Sequence, residues 1–255
     1  MSGYIENGEL LVNEKIGSQV WRMIVYAPLQ AKIAKIGQFA NLRVSHLFTP
    51  LLRRPISYAG FDREKGTVEF LYRVVGIGTD FMTTLGVGQR INTLGPLGTP
   101  FQERGNMLLV GGGVGIAPML CMVRNTTVGK HINVVLGFKN KKERFWADLF
   151  ASYSATVHIT TDDGSLGTKG YPMSVMGDIL EHESVDCVYT CGPTPMMKSV
   201  AAVAIKQGVS CEVSLEEHMG CGTGGCLGCA VEGRDGRRYK VCTDGPVFPA
   251  EEVFF

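Results

Sequence analysis

The sequence predicts a multi-domain fold, α/β plus β: an N-terminal antiparallel β-barrel, a parallel α/β domain and a small C-terminal cysteine module. Three observations predict it. Residues 1–102 carry short β-branched and aromatic runs broken by turn residues, with no strong amphipathic helix. Residues 103–213 change period, and apolar strands alternate with helical segments, which implies a parallel sheet covered by helices. Residues 214–255 hold four cysteines interleaved with glycines. At 255 residues the chain exceeds the usual size of one domain.

In the first module Val20–Tyr26 and residues 67–75 read as strands, punctuated by turn signals at Asn7-Gly8, Gly60, Gly66, Gly86 and Gly88. In the second, residues 107–110 form a short apolar strand that runs into Gly111-Gly-Gly-Val-Gly-Ile-Ala-Pro118. A helix is expected to begin near Ala117 or Pro118, where proline suits the first turn. Residues 132–137, 156–161 and 185–190 are three further strands, with helices expected over 142–152 and through Val203 and Ile205.

In the third module Cys221, Cys226, Cys229 and Cys242 are spaced C-x4-C-x2-C-x12-C. The first three positions match the plant-type ferredoxin pattern for a [2Fe–2S] cluster. Two irons need four thiolates, and a short loop wrapping the cluster supplies three. Gly220, Gly222, Gly224, Gly225 and Gly228 allow close backbone approach, so amide N–H groups can face the cluster sulfurs. The fourth ligand follows an expected hairpin turn at Gly233-Arg-Asp-Gly236. A zinc ribbon or a set of disulfides is the alternative. Zinc usually prefers paired C-x2-C knuckles, and one such pair is present. So small a module is expected to depend on its metal for folding.

Net charge is +1 with no run of like charges, which argues against a nucleic-acid surface. No stretch approaches 18 apolar residues, so no membrane span is expected. The first nine residues lack a basic n-region and an apolar h-region, and no signal peptide is readable. Cys121, Cys187, Cys191 and Cys211 are scattered through apolar segments, as free thiols sit in a reducing cytosol, so a cytoplasmic location is expected. His46, His131, His158 and His182 are isolated and suggest no catalytic base. His218 stands three residues before Cys221, but four cysteines already complete the ligand set.

The 111–118 turn can cradle a pyrophosphate with Gly112, Gly113 and Gly115 at the positive end of a helix. It departs from the Rossmann fingerprint. Pro118 stands where a third glycine is expected, and residues 136–140 lack the acidic ribose ligand. Alone it also reads as a tight turn with helix packing. Four further segments add to it. Arg54-Pro-Ile-Ser57 offers a guanidinium for phosphate and a hydroxyl for a ring edge. Residues 71–79 offer backbone amides and Thr79, residues 95–99 close the barrel, and Cys191-Gly-Pro193 follows the fourth strand. Each by itself is nonspecific.

In this order and spacing the segments resemble the ferredoxin–NADP reductase superfamily. With the C-terminal cysteines included, the whole chain resembles the electron-transfer subunits of class 1B dihydroorotate dehydrogenase. The resemblance implies one FAD, one [2Fe–2S] cluster and NAD as terminal acceptor. It implies that the barrel holds FAD through Arg54, Pro55, Ile56, Ser57, Leu71, Tyr72, Arg73, Gly78 and Thr79. It implies that the α/β domain holds the nicotinamide nucleotide through Gly112, Gly113, Gly115, Cys191, Gly192 and Pro193. Cys191 lies near the nicotinamide by the same analogy, or is a packed strand-end thiol. Asp162 and Asp163 follow the third strand, where this superfamily meets the adenosine ribose. A carboxylate there accepts from a 2′-hydroxyl and repels a 2′-phosphate, which favours NAD. Asp-Asp-Gly-Ser is also ordinary turn chemistry.

The implied partner is an FMN-containing catalytic subunit where dihydroorotate becomes orotate, in a heterotetramer of two of each. Met219, Leu227 and Val253-Phe-Phe255 either form an apolar rim at the electron exit or fold into the small module's core. The chain is then an NAD-linked flavin/iron–sulfur oxidoreductase subunit of pyrimidine biosynthesis with no catalytic side chain of its own. The alternative is the flavin/iron–sulfur subunit of a ferredoxin:NADP oxidoreductase or sulfide dehydrogenase. There the first cluster ligand is typically aspartate, and Cys221 favours the dihydroorotate family. A self-contained oxygenase reductase and a zinc-binding non-enzyme are further readings.

Overall fold

A computed structural model describes residues 3–45, 49–129 and 131–255, and His46 lies outside them. The first module comprises β1 (Tyr4–Gly17), β2 (Val20–Tyr26), α1 (Pro28–Ile33), β3 (Phe39–Arg43), β4 (Arg54–Asp62), β5 (Thr67–Arg73), α2 (Ile77–Thr83) and β6 (Arg90–Leu97). Its six strands close a barrel in the order β1-β2-β5-β4-β3-β6, and β1 pairs with β6 to complete the ring. Leu10, Met23, Val25, Leu42, Tyr58 and Phe70 are buried. Two expected turns are strand interior instead. Gly8 lies within β1, where an added Cβ would meet Val25 Cγ1 at 2.4 Å, so glycine serves close strand packing there. Gly60 lies within β4 at a register irregularity between Tyr58 and Gly60. Pro28 opens α1, and the Glu6 carboxylate accepts from the amides of Leu29 and Gln30 at 3.1 Å each.

The second module runs through β7 (Asn106–Gly112), α3 (Ile116–Asn125), β8 (His131–Phe138), α4 (Phe145–Asp148), β9 (Thr156–Thr161), β10 (Thr168–Lys169), α5 (Pro172–His182), β11 (Cys187–Cys191), α6 (Thr194–Lys206) and β12 (Ser210–Ser214). The helix expected over 142–152 is a 3-10 turn followed by the short α4. α5 went unread, although Pro172, Met176 and Ile179 form its buried stripe at helical spacing.

The third module contributes the hairpin β13 (Ala230–Glu232) and β14 (Arg238–Lys240), then β15 (Val247–Pro249) and α7 (Ala250–Val253). The turn at 233–236 joins the hairpin, with Gly233 N donating to Arg237 O at 2.8 Å. β15 adds antiparallel to β12, so the large sheet has the order β10-β9-β8-β7-β11-β12-β15. The third module is therefore stitched into the second module's sheet, and Ser214 is the last residue of β12.

Candidate cofactor and cluster sites

Arg54-Pro-Ile-Ser57 opens β4, with Phe39 of β3 opposite Ser57 and Asn41 opposite Pro55. Leu71, Tyr72 and Arg73 end β5, and the first turn of α2 supplies Gly78 and Thr79. All nine of these predicted residues border one cleft of about 840 Å³. Arg54 lies over Gly78, where an added Cβ would stand 1.7 Å from its Nε. The amides of Ile77, Gly78 and Thr79 begin a helix and have no helical acceptor. A guanidinium and amides without helical acceptors at one cleft suit a phosphate group. The donor set thus fits a flavin nucleotide.

Two polar ends are already engaged. The Tyr72 hydroxyl donates to Asn13 Oδ1 at 3.0 Å, and Arg73 pairs with Glu143 at 3.1 Å. These side chains supply walls rather than free hydrogen-bonding groups. The cleft's other walls were not legible. Val114 and Ala117 come from the second module, and Glu216, His218, Met219, Gly220 and Gly228 from the third. Glu216 faces the open cleft yet is ringed by protein, and this desolvation raises its carboxyl pKa.

The sheet's order reverses between β7 and β11, the crevice where open α/β sheets take ligands. Cys191 stands beside Gly111 in register. A Cβ at Gly115 would lie 2.5 Å from the backbone of Cys191 and Gly192, and one at Gly192 would lie 2.9 Å from Gly112 O. Gly112, Gly115, Cys191, Gly192 and Pro193 thus meet as one backbone-lined floor, with Gly113 in the turn between Gly112 and Gly115. The Cys191 thiol is 1% exposed, and burial raises its pKa, so it is a neutral thiol. Asp162 and Asp163 sit on an exposed turn after β9, two strands from β7. Asp163 Oδ1 accepts from Ser165 N at 2.9 Å, and the Ser165 side chain first and its amide second lower the Asp163 pKa, whereas the Asp162 carboxylate has no hydrogen bond among the described residues.

Cys221 and Cys226 sit at the open end of their loop, Cys226 exposed, while Cys229 and Cys242 are buried at 3% and 0% exposure. The four thiols fall into two pairs. Cys226 N donates to Cys221 Sγ, and Cys242 N donates to Cys229 Sγ, each at 3.4 Å. Thr223 N also donates to Cys221 Sγ at 3.4 Å, and Gly228 N to Cys226 Sγ at 3.5 Å. The amides of Thr223, most strongly, and Cys226 pull the Cys221 thiol down to about 6, while burial pushes Cys242 up to about 12. Among the described residues no three His, Cys, Asp or Glu side chains gather closely enough to share a single ion. Two thiol pairs ringed by N–H donors fit a two-iron cluster better than one zinc ion. Of the expected apolar rim, Leu227 is 63% exposed and Phe255 38%, whereas Met219, Val253 and Phe254 pack against the core. Beneath the loop, Asn41 is fully buried, and its Oδ1 has no hydrogen-bond partner among the described residues.

Comparison with known proteins agrees with this layout. The iron–sulfur cluster binding domain of dihydroorotate dehydrogenase B matches residues 216–254, and the oxidoreductase NAD-binding domain matches residues 109–202. The "Dihydroorotate dehydrogenase B (NAD(+)), electron transfer subunit" of Caldanaerobacter subterraneus subsp. tengcongensis is 39% identical over 251 residues, covering 96% of this chain and 97% of that one. That of Shouchella clausii is 37% identical over 250 residues, with 94% of each covered. Among solved structures, an NADH-dependent reduced ferredoxin-NADP oxidoreductase studied for flavin-based electron bifurcation has a TM-score of 0.84 at 32% identity, over 99% of this chain and 91% of that one. A ferredoxin NADP+ reductase from Neisseria gonorrhoeae, with bound FAD and NADP, shares the fold at TM-score 0.65 and 16% identity, over 80% of this chain and 92% of that one. Barrel, backbone-lined floor, paired thiols and near-full-length likeness coincide, and the chain belongs to the family of dihydroorotate dehydrogenase B (NAD(+)) electron transfer subunits.

Proposed function

We propose that this chain relays electrons from the FMN of a dihydroorotate-oxidising catalytic subunit to NAD+, through its own [2Fe–2S] cluster and FAD, in pyrimidine biosynthesis. One observation carries this reading: a single cleft is bordered by the barrel, by Val114 and Ala117 beside the nucleotide floor, and by Gly220 and Gly228 of the cluster loop. A flavin there touches both neighbouring sites. When bound, FAD exchanges electron pairs as hydride with nicotinamide and single electrons with an iron–sulfur cluster.

The protein's own part is placement. Arg54 and the first-turn amides of α2 hold the flavin's phosphates, and Ser57 meets the ring. The floor of Gly112, Gly113, Gly115, Gly192 and Pro193 takes the nicotinamide nucleotide, with buried Cys191 packed beneath it. Asp162, the freer carboxylate, accepts from the ribose 2′-hydroxyl. Cys221, Cys226, Cys229 and Cys242 hold the cluster. Residues 1–102, 103–213 and 214–255 divide the work among flavin, nucleotide and cluster. The partner is an FMN-containing catalytic subunit, in a heterotetramer of two of each, working in the cytoplasm. The relatives' name, an electron transfer subunit, supports a catalytic partner. No helix among the described residues is long and apolar enough to cross a membrane.

A second reading, the flavin/iron–sulfur subunit of a ferredoxin:NADP oxidoreductase, draws on the 0.84 TM-score. A thiol rather than a carboxylate at Cys221 favours the first. Dihydroorotate-dependent NAD+ reduction separates them. The isolated chain is expected to reduce dyes with NADH but to leave dihydroorotate untouched, and adding the FMN subunit is expected to restore orotate formation. A robust dihydroorotate rate from the isolated chain would place the substrate site here and sink the relay. NADH-driven ferredoxin:NADP chemistry would favour the second reading.

A further inference from the structure

The barrel touches the cluster loop through one buried polar side chain. Along β3, Ala40 and Leu42 belong to the core that fills the barrel, while Phe39 joins the second core with Leu97, Cys229 and Cys242. Alternation therefore turns Phe39 and Asn41 outward, towards the cluster module. Asn41 Nδ2 donates to Cys221 O at 3.5 Å, and an added Cβ at Gly222 would lie 2.4 Å from that nitrogen. The loop's first turn thus rests on the amide. Asn41 is itself anchored, since its carbonyl accepts from Arg53 Nη1 at 3.0 Å and its strand pairs with the 54–57 segment. Its Oδ1 has no partner among the described residues. Turning the amide over would set that oxygen against the Cys221 carbonyl, so the donor end is the one in use. A leucine of similar shape would fill this face without leaving a buried acceptor unpaired. Packing alone does not account for the amide.

We infer that Asn41 is a positioning residue that fixes the first cluster ligand relative to the flavin strand pair. By holding the Cys221 carbonyl it holds the turn whose Thr223 and Cys226 amides donate to Cys221 Sγ. The same strand lies against Ser57 and Pro55, so one rigid element spaces cluster and flavin. The inference rests on the four thiols carrying an iron–sulfur cluster.

The test compares wild type with Asn41→Leu and Asn41→Ser, each purified with iron and FAD. The readouts are iron loss to a chelator, the reduced-state EPR signal, the cluster's midpoint potential and thermal midpoint. Partners that orient metal ligands typically change metal retention by about 10-fold or more when lost. Both variants are expected to keep FAD, to lose iron about 10-fold faster and to shift the EPR signal and potential. Asn41→Leu is expected to do so without a lower thermal midpoint. Wild-type iron retention, EPR signal and potential in either folded variant would overturn the inference, as would a lower thermal midpoint with those three unchanged. A wild-type chain devoid of iron would be a different failure, that of the cluster assignment itself.

Discussion

Gly115→Ala isolates the contact on which the nucleotide floor depends. Gly115 has ordinary backbone angles, with φ −62, so alanine carries no conformational penalty there. The obstacle is steric, because the new Cβ would stand 2.5 Å from the carbonyl carbon and oxygen of Cys191 and from Gly192 N. These are backbone atoms at the end of β11 and cannot rotate away. Restoring ordinary contact requires the loops to part by about 0.9 Å. Overpacking of this kind costs about 1–3 kcal/mol. Falling wholly on nucleotide binding, that is about a 5- to 150-fold rise in the NAD+ dissociation constant. Gly113→Ala is the matched control. It meets nothing within 4 Å but sits at φ +58, so it adds backbone strain of about 1–2 kcal/mol without moving the Cys191 turn. Calorimetric titration with NAD+, alongside thermal unfolding, should show Gly115→Ala weakening binding more than Gly113→Ala, with flavin content equal in both. An unchanged dissociation constant and unfolding midpoint in Gly115→Ala would refute the contact between the two loops.

Arg54→Ala removes a charge-assisted phosphate contact and is expected to weaken FAD retention by about 1.5–3 kcal/mol, read as flavin lost on dialysis; full retention would reject Arg54 as a phosphate ligand. Serine at Cys221, Cys226, Cys229 or Cys242 should each lower iron content or alter the reduced-state EPR signal, and an unaffected variant would strike that residue from the ligand set. The chain should prefer NADH to NADPH in dye reduction, and Asp162→Asn with Asp163→Asn should narrow the gap; equal wild-type rates would end that reading. Leu227 is exposed beside the most accessible thiol, so Leu227→Asp should weaken assembly with the catalytic subunit in analytical ultracentrifugation while sparing NADH-driven dye reduction.

What the sequence made legible follows the range of each signal. β9 was readable to the residue because a run rich in β-branched residues is a local pattern. The cysteine spacing and the 233–236 turn were readable for the same reason. Gly8 and Gly60 misled because glycine marks a turn and a close strand approach alike. β15 could not be foreseen, since its three residues are a strand only through pairing with β12, more than thirty positions away. The cleft's third wall was hidden likewise. Nothing in Glu216, His218 or Gly228 signals a flavin pocket until the fold brings the cluster loop against β4. Nothing in the sequence singles out Asn41, and its buried position beneath Gly222 is a product of tertiary packing.

The relay needs its sites at fixed separations, and the seams between modules supply them. Domain interfaces within one chain are ordinarily mobile. Here a single apolar core runs from Leu10 and Phe70 in the barrel through Ile116 and Leu120 of α3 into the sheet. α3 begins at the nucleotide floor and is pinned at its far end. Arg124 pairs with Glu69 of β5 at 2.8 Å, both largely buried, and Glu69 also holds Arg22 at 3.0 Å. Asn125 Nδ2 donates to Phe61 O at 2.7 Å beside them. Glu69 thus holds two guanidiniums, and its loss would leave both without their shared carboxylate, so the joint resists opening. On the other side, Thr99 N donates to Gly245 O at 2.6 Å and Thr99 Oγ1 to Val247 O at 2.9 Å, tying the end of the barrel to the segment after Cys242. The cleft is thus framed by two braced joints, one to each neighbouring module. Neither Arg124 nor Thr99 lines the cleft, so a substitution at either would loosen a joint without removing a cleft wall.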